Sequence, residues 1–356
     1  MTLLESKHEL WTDSRHNFDE RGSRNLMTSR VLDRALDLAV LPGYSRLGFA
    51  LRGLDHESAI AADLSGRIAL VTGGTSGIGE AACEGLLAAG ATVHLLGRDE
   101  ERIAGTLSRV ESRLPDPPGR LVPELCDISD PGQVRRFAEG FQERVQALDV
   151  LVNNAGVLTR RRERTASGLE LTFATNVLGP FLLTQLLLPA LRAAAPSRVI
   201  TVSSGGMYTA RLDGDDPQLD GREFDGPGFY AHTKRAEVVL NGLWAQRHAA
   251  DGVAFHAMHP GWVDTGGLRS SLPRFHRLMR PLLRDARQGA DTIVWLATAG
   301  ALEPASGGFW HDRAPRPEHR LPRTRETRPE RERFWAYCER LSRLAGRAMG
   351  VPGPIA

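Results

Sequence analysis

Ile68-Ala69-Leu70-Val71-Thr72-Gly73-Gly74-Thr75-Ser76-Gly77-Ile78-Gly79 is an apolar run that breaks into a glycine-rich turn, and a segment rich in alanine and leucine follows it. It reads as strand, loop and helix. Glycines let a backbone turn sharply and come close to a pyrophosphate, whose charge is then held by N–H groups at the helix start. The loop residues Gly73, Thr75, Ser76, Gly77, Ile78 and Gly79 therefore form a candidate phosphate cradle. Their spacing, Gly73-x-x-x-Gly77-x-Gly79, differs from the generic GxGxxG fingerprint, and an ordinary glycine-rich turn stays open as the alternative.

Outward from this stretch, short apolar runs alternate with longer helix-type segments. Strands are expected at Ile68 to Thr72, Thr92 to Leu96, Arg120 to Leu125, Val150 to Asn153, Val199 to Ser203 and Val253 to Met258. Helices fit Gly77 to Ala89, Asp99 to Arg113, Pro131 to Gln146, Leu169 to Ala194, Phe229 to His248 and Ala286 to Thr298. Near-continuous apolar strands are buried on both faces, so the fold class is α/β, a parallel sheet between helices.

Residues 1–63 read as an N-terminal arm, polar to Arg30 and partly helical from Val31 until Pro42-Gly43 ends the helix. Leu47 to Leu54, with Arg46 and Arg52, admits a membrane-surface helix; a helix packed on the domain is the favoured reading. Beyond Asp312 the composition turns to proline and arginine. Residues 313–356 are read as an extension that cannot continue the sheet, follows an extended surface path with a solvated arginine face, and ends in a helix from Glu332 to Arg347.

The 356 residues carry 45 Lys+Arg against 43 Asp+Glu, a formal charge of +2, which gives no pull toward nucleic acid or anionic membrane. Cys83, Cys126 and Cys338 lie far apart, which argues against disulfides and cysteine-based metal sites; no metal is expected. The polar N-terminus and the lack of a long uninterrupted apolar run predict a soluble, by default cytoplasmic, protein.

Five features place chemistry at or beside the C-terminal ends of the strands, where ligands of open α/β sheets bind. After the second strand, Arg98 offers a charge-assisted grip on a ribose 2′-phosphate, and Arg102 lies one helical turn on. That favours NADP(H) over NAD(H); the alternative makes Arg98 and Arg102 solvated helix-start residues and Asp99 an N-cap. Asp127 after the third strand is placed to accept from an adenine amino group, or to cap the next helix. Asn153-Asn154-Ala155-Gly156 after the fourth gives small residues against which an adenosine can lie, or simply a turn. Tyr230-Ala231-His232-Thr233-Lys234 puts a phenol and an ammonium on one helix face, and an adjacent cation favours the phenolate by about 1.4 kcal/mol per pKa unit. Ser204, at the end of the fifth strand, is placed to orient a substrate oxygen beside Tyr230 or merely to start a loop. Met207, Tyr208, Phe224, Phe229 and Trp262 flank these segments as candidates for an apolar pocket.

Thr72-Gly73-x-x-x-Gly77-x-Gly79, Asn153-Asn154-Ala155-Gly156, Asn176, Ser204 and Tyr230-x-x-x-Lys234, in that order, resemble the short-chain dehydrogenase/reductase family. The resemblance spans residues 64–312. It implies a Rossmann-type doubly wound parallel sheet in a single domain, with N- and C-terminal extensions outside the common core. Tyr230 would be the acid–base residue, Lys234 would bind nicotinamide ribose and lower the tyrosine pKa, Ser204 would hold the substrate oxygen and Asn176 a water of the proton relay. Pro260-Gly261-Trp262-Val263-Asp264-Thr265 looks like the family's nicotinamide loop, which puts Val263 and Thr265 among the cofactor contacts. Val202 to Met207, His259 to Trp262 and Leu41 to Ser45 look similar to the member-twelve branch of the dehydrogenase/reductase group, with retinol-dehydrogenase-like relatives. A Gly, Asp and Pro insertion over 213–228 departs from compact members. The implied activity is NADP(H)-dependent interconversion of a carbonyl and an alcohol on a small, apolar substrate, by a homo-oligomer associating through Leu169 to Ala194 and Phe229 to His248. An epimerase or dehydratase of the longer type, and a catalytically silent dinucleotide-binding scaffold, are the alternatives.

Overall fold

The computed structural model describes residues 31–54 and 63–347; the polar stretch before Val31, the segment 55–62 and the tail after residue 347 lie outside the described residues. Eight strands form one sheet: β1 Ile68–Thr72, β2 Thr92–Gly97, β3 Arg120–Leu125, β4 Val150–Asn153, β5 Ser197–Val202, β6 Val253–Met258, β7 Phe309–His311 and β8 Ala314–Pro315. Their order is β3-β2-β1-β4-β5-β6-β7-β8, parallel throughout except for the antiparallel β7–β8 pair. The order reverses between β1 and β4, and that switch point opens the crevice in which a ligand of such a sheet sits.

The flanking helices are α1 Gly77–Ala88, α2 Glu100–Arg113, α3 Pro131–Arg144, α4 Gly179–Ala193, α5 Gly226–Arg247, α6 Ala286–Thr298 and α7 Arg328–Arg347. Their starts are written in local chemistry. Asp99, Asp130, Asp225 and Asp285 each accept from N–H groups of the first turn, Pro131 and Pro227 occupy first-turn positions with no N–H to satisfy, and Asp285 with Gln288 closes a capping box. Before α4, Leu171–Phe173 passes through a π-helical turn at Ala174–Leu178 that carries Asn176, so the single helix read from the sequence is interrupted at a site residue. The span Leu171–Ala193 is long and apolar enough to cross a membrane, but 83% of its most apolar window is buried inside the fold.

One core layer packs α1, α2 and α6 on the sheet through residues such as Leu86, Val110, Ile293 and Leu296. The opposite layer packs α3, α4, α5 and α7 through Phe141, Phe181, Leu240 and Phe334. The C-terminal segment thus departs from the surface path read from its prolines. Ala314–Pro315 adds a short antiparallel edge to the sheet, and α7 inserts Phe334, Trp335 and Cys338 into the core, Trp335 meeting Phe181 and Trp244 edge-on with ring centroids 5.0 and 4.7 Å away. Its arginines divide. Arg313, Arg316 and Arg320 pair with Asp291, Asp33 and Asp37, whereas Arg323, Arg325 and Arg328 are exposed, as a solvated face requires.

The arm is tied to the same edge of the sheet. Its short helix Arg46–Leu51 turns Gly48 and Phe49 inward and leaves Leu47 and Leu51 exposed. Arg52 does not face solvent: it bonds Asp33 and Asp312 at 2.7 Å each, which overturns its place on a membrane-facing surface. Arg284, just before α6, is 1% exposed and directs all five of its N–H bonds inward, to both carboxylate oxygens of Asp312 and to the carbonyls of Gly43, Ser45 and Pro260.

Candidate active site

β1 ends at Thr72, whose hydroxyl accepts from the N–H groups of Asn154 at 2.9 Å and Ala155 at 3.0 Å and donates to the Val152 carbonyl at 3.2 Å. In return the Asn154 amide donates to the carbonyls of Thr72 at 2.9 Å and Gly73 at 3.3 Å. The glycine loop is therefore clamped to the end of β4, and the Asn154 side chain braces it. Gly73 has φ +66°, and a Cβ on it would stand 2.9 Å from Ala155 Cα. On Gly79 a Cβ would stand 2.2 Å from the Gly73 carbonyl, so only glycine lets α1 begin this close beneath the loop.

A cleft of about 620 Å³ opens at the C-terminal ends of the strands. Gly73, Thr75, Ser76, Gly77, Ile78 and Gly79 form one wall, Arg98, Arg102 and Asp127 one end, and Asn154, Ala155 and Gly156 the base. Ser204, Tyr230, Lys234, Val263 and Thr265 close the other end. Among the residues singled out for the site, Asn176 alone stands behind the lining. Its side chain accepts from Val157 N–H at 2.8 Å and donates to the Val157 carbonyl at 3.1 Å and to Thr233 Oγ1 at 3.0 Å, so its amide is committed to bracing the loop after β4.

Several side chains carry double duty. Asp99 caps α2 through one carboxylate oxygen, accepting from Arg102 N–H at 2.9 Å, and lines that end of the cleft together with Arg98, Arg102 and Asp127. Asp127 turns one carboxylate oxygen to the N–H and hydroxyl of Ser129, 2.9 and 2.7 Å away, while lining the cleft. Thr265 caps the helix Gly266–Ser271 through Leu268 N–H at 3.2 Å. Of the aromatic and methionine candidates for an apolar pocket, only Trp262 lines it. Met207, Tyr208, Phe224 and Phe229 pack into the cores, and Leu158, Leu268, Leu272 and Phe275 take their place at the cleft.

At that end of the cleft, Lys234 Nζ lies 5.5 Å from the Tyr230 ring centroid, and Ser204 lines the same wall. The phenol does not become the acidic group expected from its neighbour. Burial pushes the Tyr230 pKa upward and Glu237 adds to the rise, which the Lys234 ammonium and Ser204 only partly offset. Burial also works against the Lys234 charge, but Glu237 and Tyr230 more than restore it, and its pKa is raised.

The short chain dehydrogenase family model matches residues 67–214. Dehydrogenase/reductase SDR family member 12 of Bos taurus is 42% identical over 303 residues, 84% of this chain and 94% of that protein. Retinol dehydrogenase 12 of Homo sapiens is 36% identical over 251 residues, 70% of this chain and 78% of that one. Among solved structures, the Pseudomonas aeruginosa RhlG/NADP active-site complex aligns with a TM-score of 0.57 and 28% identity over 69% of this chain and 94% of its own. The chain belongs to the short-chain dehydrogenase/reductase family. It is an NAD(P)-dependent oxidoreductase of the kind that acts on CH–OH groups.

In a short-chain dehydrogenase/reductase the bound nicotinamide supplies or accepts the hydride. The residues present fit such a cofactor: a loop with no room for a side chain at Gly73 and Gly79, the first N–H groups of α1 opening on the cleft, and cations at its far end. The groups this chain offers there are the Tyr230 phenol, the Ser204 hydroxyl and the Lys234 ammonium, which as chemical types can exchange a proton, orient an oxygen and stabilise a phenolate. Two residues escaped the sequence reading. Glu237 stands three residues after Lys234, on the same helix face, and that spacing was the available signal. Arg284 gave none, because its partners at Gly43, Ser45, Pro260 and Asp312 are far away along the chain.

Proposed function

We propose that this short-chain dehydrogenase/reductase interconverts a carbonyl and an alcohol with NADP(H), on a predominantly apolar substrate. The observation that carries the reading is the convergence of Ser204, Tyr230 and Lys234 on one end of a cleft whose other end holds Arg98 and Arg102. Tyr230 exchanges the proton with the substrate oxygen and Ser204 orients that oxygen. Gly73, Thr75, Ser76, Gly77, Ile78 and Gly79 cradle the pyrophosphate, Asp127 and Asn154 to Gly156 hold the adenosine, and Lys234, Val263 and Thr265 hold the nicotinamide half. The preference for the 2′-phosphorylated cofactor is supported by Arg98 and Arg102, two guanidinium groups lining that end of the cleft. The solved RhlG relative is itself an NADP complex. The apolar substrate is supported by Leu158, Trp262, Leu268, Leu272 and Phe275 at the reacting end.

A fluorescence titration of NADPH against NADH tests the cofactor. A charge-assisted contact is worth about 1.5–3 kcal/mol, so Arg98→Ala is expected to weaken NADPH by about tenfold or more and leave NADH nearly unchanged. Equal binding of the two cofactors by the natural protein would refute the preference. Turnover is tested with NADPH and a panel of aldehydes and ketones. Tyr230→Phe is expected to lose about 10² to 10⁴ in rate, and the absence of any turnover above that control would favour a silent dinucleotide-binding scaffold.

A further inference from the structure

Beneath the Tyr230–Lys234 pair lies a third ionisable group with no assigned role. Glu237 is 5% exposed and its Oε1 sits 2.7 Å from Lys234 Nζ. Lys234, 3% exposed, gives a second bond to the Val202 carbonyl at 2.9 Å. Two of the three ammonium N–H groups are thus spent inside the protein, and one is left for the cleft. The other Glu237 oxygen, buried, has no hydrogen-bond partner among the described residues. A buried carboxyl that is half-satisfied costs stability, which a purely architectural position would avoid.

The surroundings leave Lys234 as the charge that answers it. On α5 itself Tyr230 is the neighbouring acid, and Arg235 turns away to Glu326 and His319. From β5, Ser203 faces the carboxyl while donating to the Lys234 carbonyl at 2.7 Å, and Arg198 lies at the far end of the strand, bonded to the carbonyls of Leu296 and Gly300. From β6 and the loop after it, His256 is held by Trp310 and His259 stacks on His311, both neutral through burial. The turn Gly205–Thr209 brings Tyr208, bonded to the Pro317 carbonyl, the Leu171–Leu178 turns bring only uncharged groups after the buried Glu170, which caps Phe173, and α7 meets α5 on the Arg235 side. Burial pushes the Glu237 carboxyl up to about 7 even with Lys234 alongside.

We propose that Glu237 is a positioning residue that tunes Tyr230 through Lys234: its carboxylate offsets the field of the ammonium at the phenol, keeps Tyr230 protonated to higher pH, and so widens the range over which the site acts as a proton donor to a carbonyl. The inference rests on reading Tyr230 and Lys234 as the acid–base pair. At the alkaline pH where Tyr230 ionises, Glu237 is charged, and a negative charge nearby disfavours the phenolate. Removing that charge leaves the ammonium unopposed, and the phenolate forms at lower pH.

The test is an ultraviolet titration of the phenolate band in the full chain, each protein referenced to its own Tyr230→Phe version so that Tyr44, Tyr208 and Tyr337 cancel. Glu237→Gln, nearly isosteric, is expected to move the Tyr230 midpoint down by about one pH unit, and Glu237→Asp, which keeps the charge, to hold it near the natural value. If the glutamine variant does not fold, Glu237→Met removes the same charge with an apolar side chain and is expected to move the midpoint in the same direction. A midpoint that stays in place on loss of the charge overturns the proposal, because a structural role alone would lower thermal stability without moving that midpoint. The titration needs no substrate. A shifted midpoint in a protein that turns over no carbonyl compound would refute the proposed function and sustain this inference, and an unshifted one in an active enzyme would do the reverse.

Discussion

Replacing Arg284 by methionine tests whether the arm, the loop after β6 and the edge of the sheet are one unit. The guanidinium bonds Asp312 at 2.5 and 2.8 Å and the carbonyls of Gly43, Ser45 and Pro260 at 3.1, 3.2 and 3.3 Å. Breaking a buried ion pair by removing one partner costs about 3–5 kcal/mol. The lower end applies here. Asp312 keeps Arg52 at 2.7 Å, Gly43 keeps the Arg52 N–H at 3.0 Å, and Ser45 keeps Phe49 N–H at 3.2 Å, so only the Pro260 carbonyl loses the bond it has to Arg284 with no such substitute. We expect a loss of about 3 kcal/mol, read as a lowered midpoint in urea followed by tryptophan fluorescence. Arg109, whose side chain is 45% exposed beside Glu80, serves as the control, and Arg109→Met is expected to cost less than about 1 kcal/mol. Because Gly261 and Trp262 pack beside Arg284 and the Tyr44 carbonyl accepts from Trp262 N–H at 2.8 Å, the same variant should also weaken NADPH binding. A change in stability below about 1 kcal/mol for Arg284→Met would refute the view that these three segments share one buried electrostatic knot.

Two other outcomes follow from the geometry. Gly79→Ala would place a methyl 2.2 Å from the Gly73 carbonyl, and it is expected to abolish cofactor binding, in a calorimetric titration, by forcing the loop away from α1. Acid should destabilise the protein through its buried imidazoles. Burial lowers the His256 pKa from 6.5 to about 4 and holds His259 and His311 well below their ordinary value, so the unfolded chain takes up protons that the folded one refuses. The stability they support is intact above pH 6.5 and is lost progressively as the pH falls below it; His256 alone accounts for about 2 kcal/mol at pH 5, and a melting temperature that does not fall between pH 7 and pH 5 would contradict this.

The parts of the fold that could be read in the chain are those whose cause is local. The strand at Ile68–Thr72, the glycine turn after it and the helix caps at Asp99, Asp130 and Asp285 follow from apolar runs, from backbone freedom and from side chains that bond their own first turn. The strand at Phe309–His311 was missed because three residues carry too short a pattern to register, and the helix through Asn176 was read as continuous because a π-turn leaves the apolar spacing almost unchanged. The C-terminal arginines misled for a related reason. Composition says that a charge prefers water, and only the carboxylates of Asp33, Asp37 and Asp291, distant in sequence, give Arg316, Arg320 and Arg313 an alternative.

By itself, then, the sequence determined the sheet of parallel strands, the glycine loop after β1 and the Tyr230–Lys234 pair on one helix face, since each rests on spacing within a single strand, turn or helix. Tertiary structure decided what that pair is worth. The rise in the Tyr230 pKa comes from burial, with Glu237 of the same helix adding to it and Lys234 and Ser204 only partly offsetting it, and long-range burial is a quantity no local pattern encodes. The same holds for Arg284, whose four partner residues come together only when the arm, the loop after β6 and the turn after β7 meet.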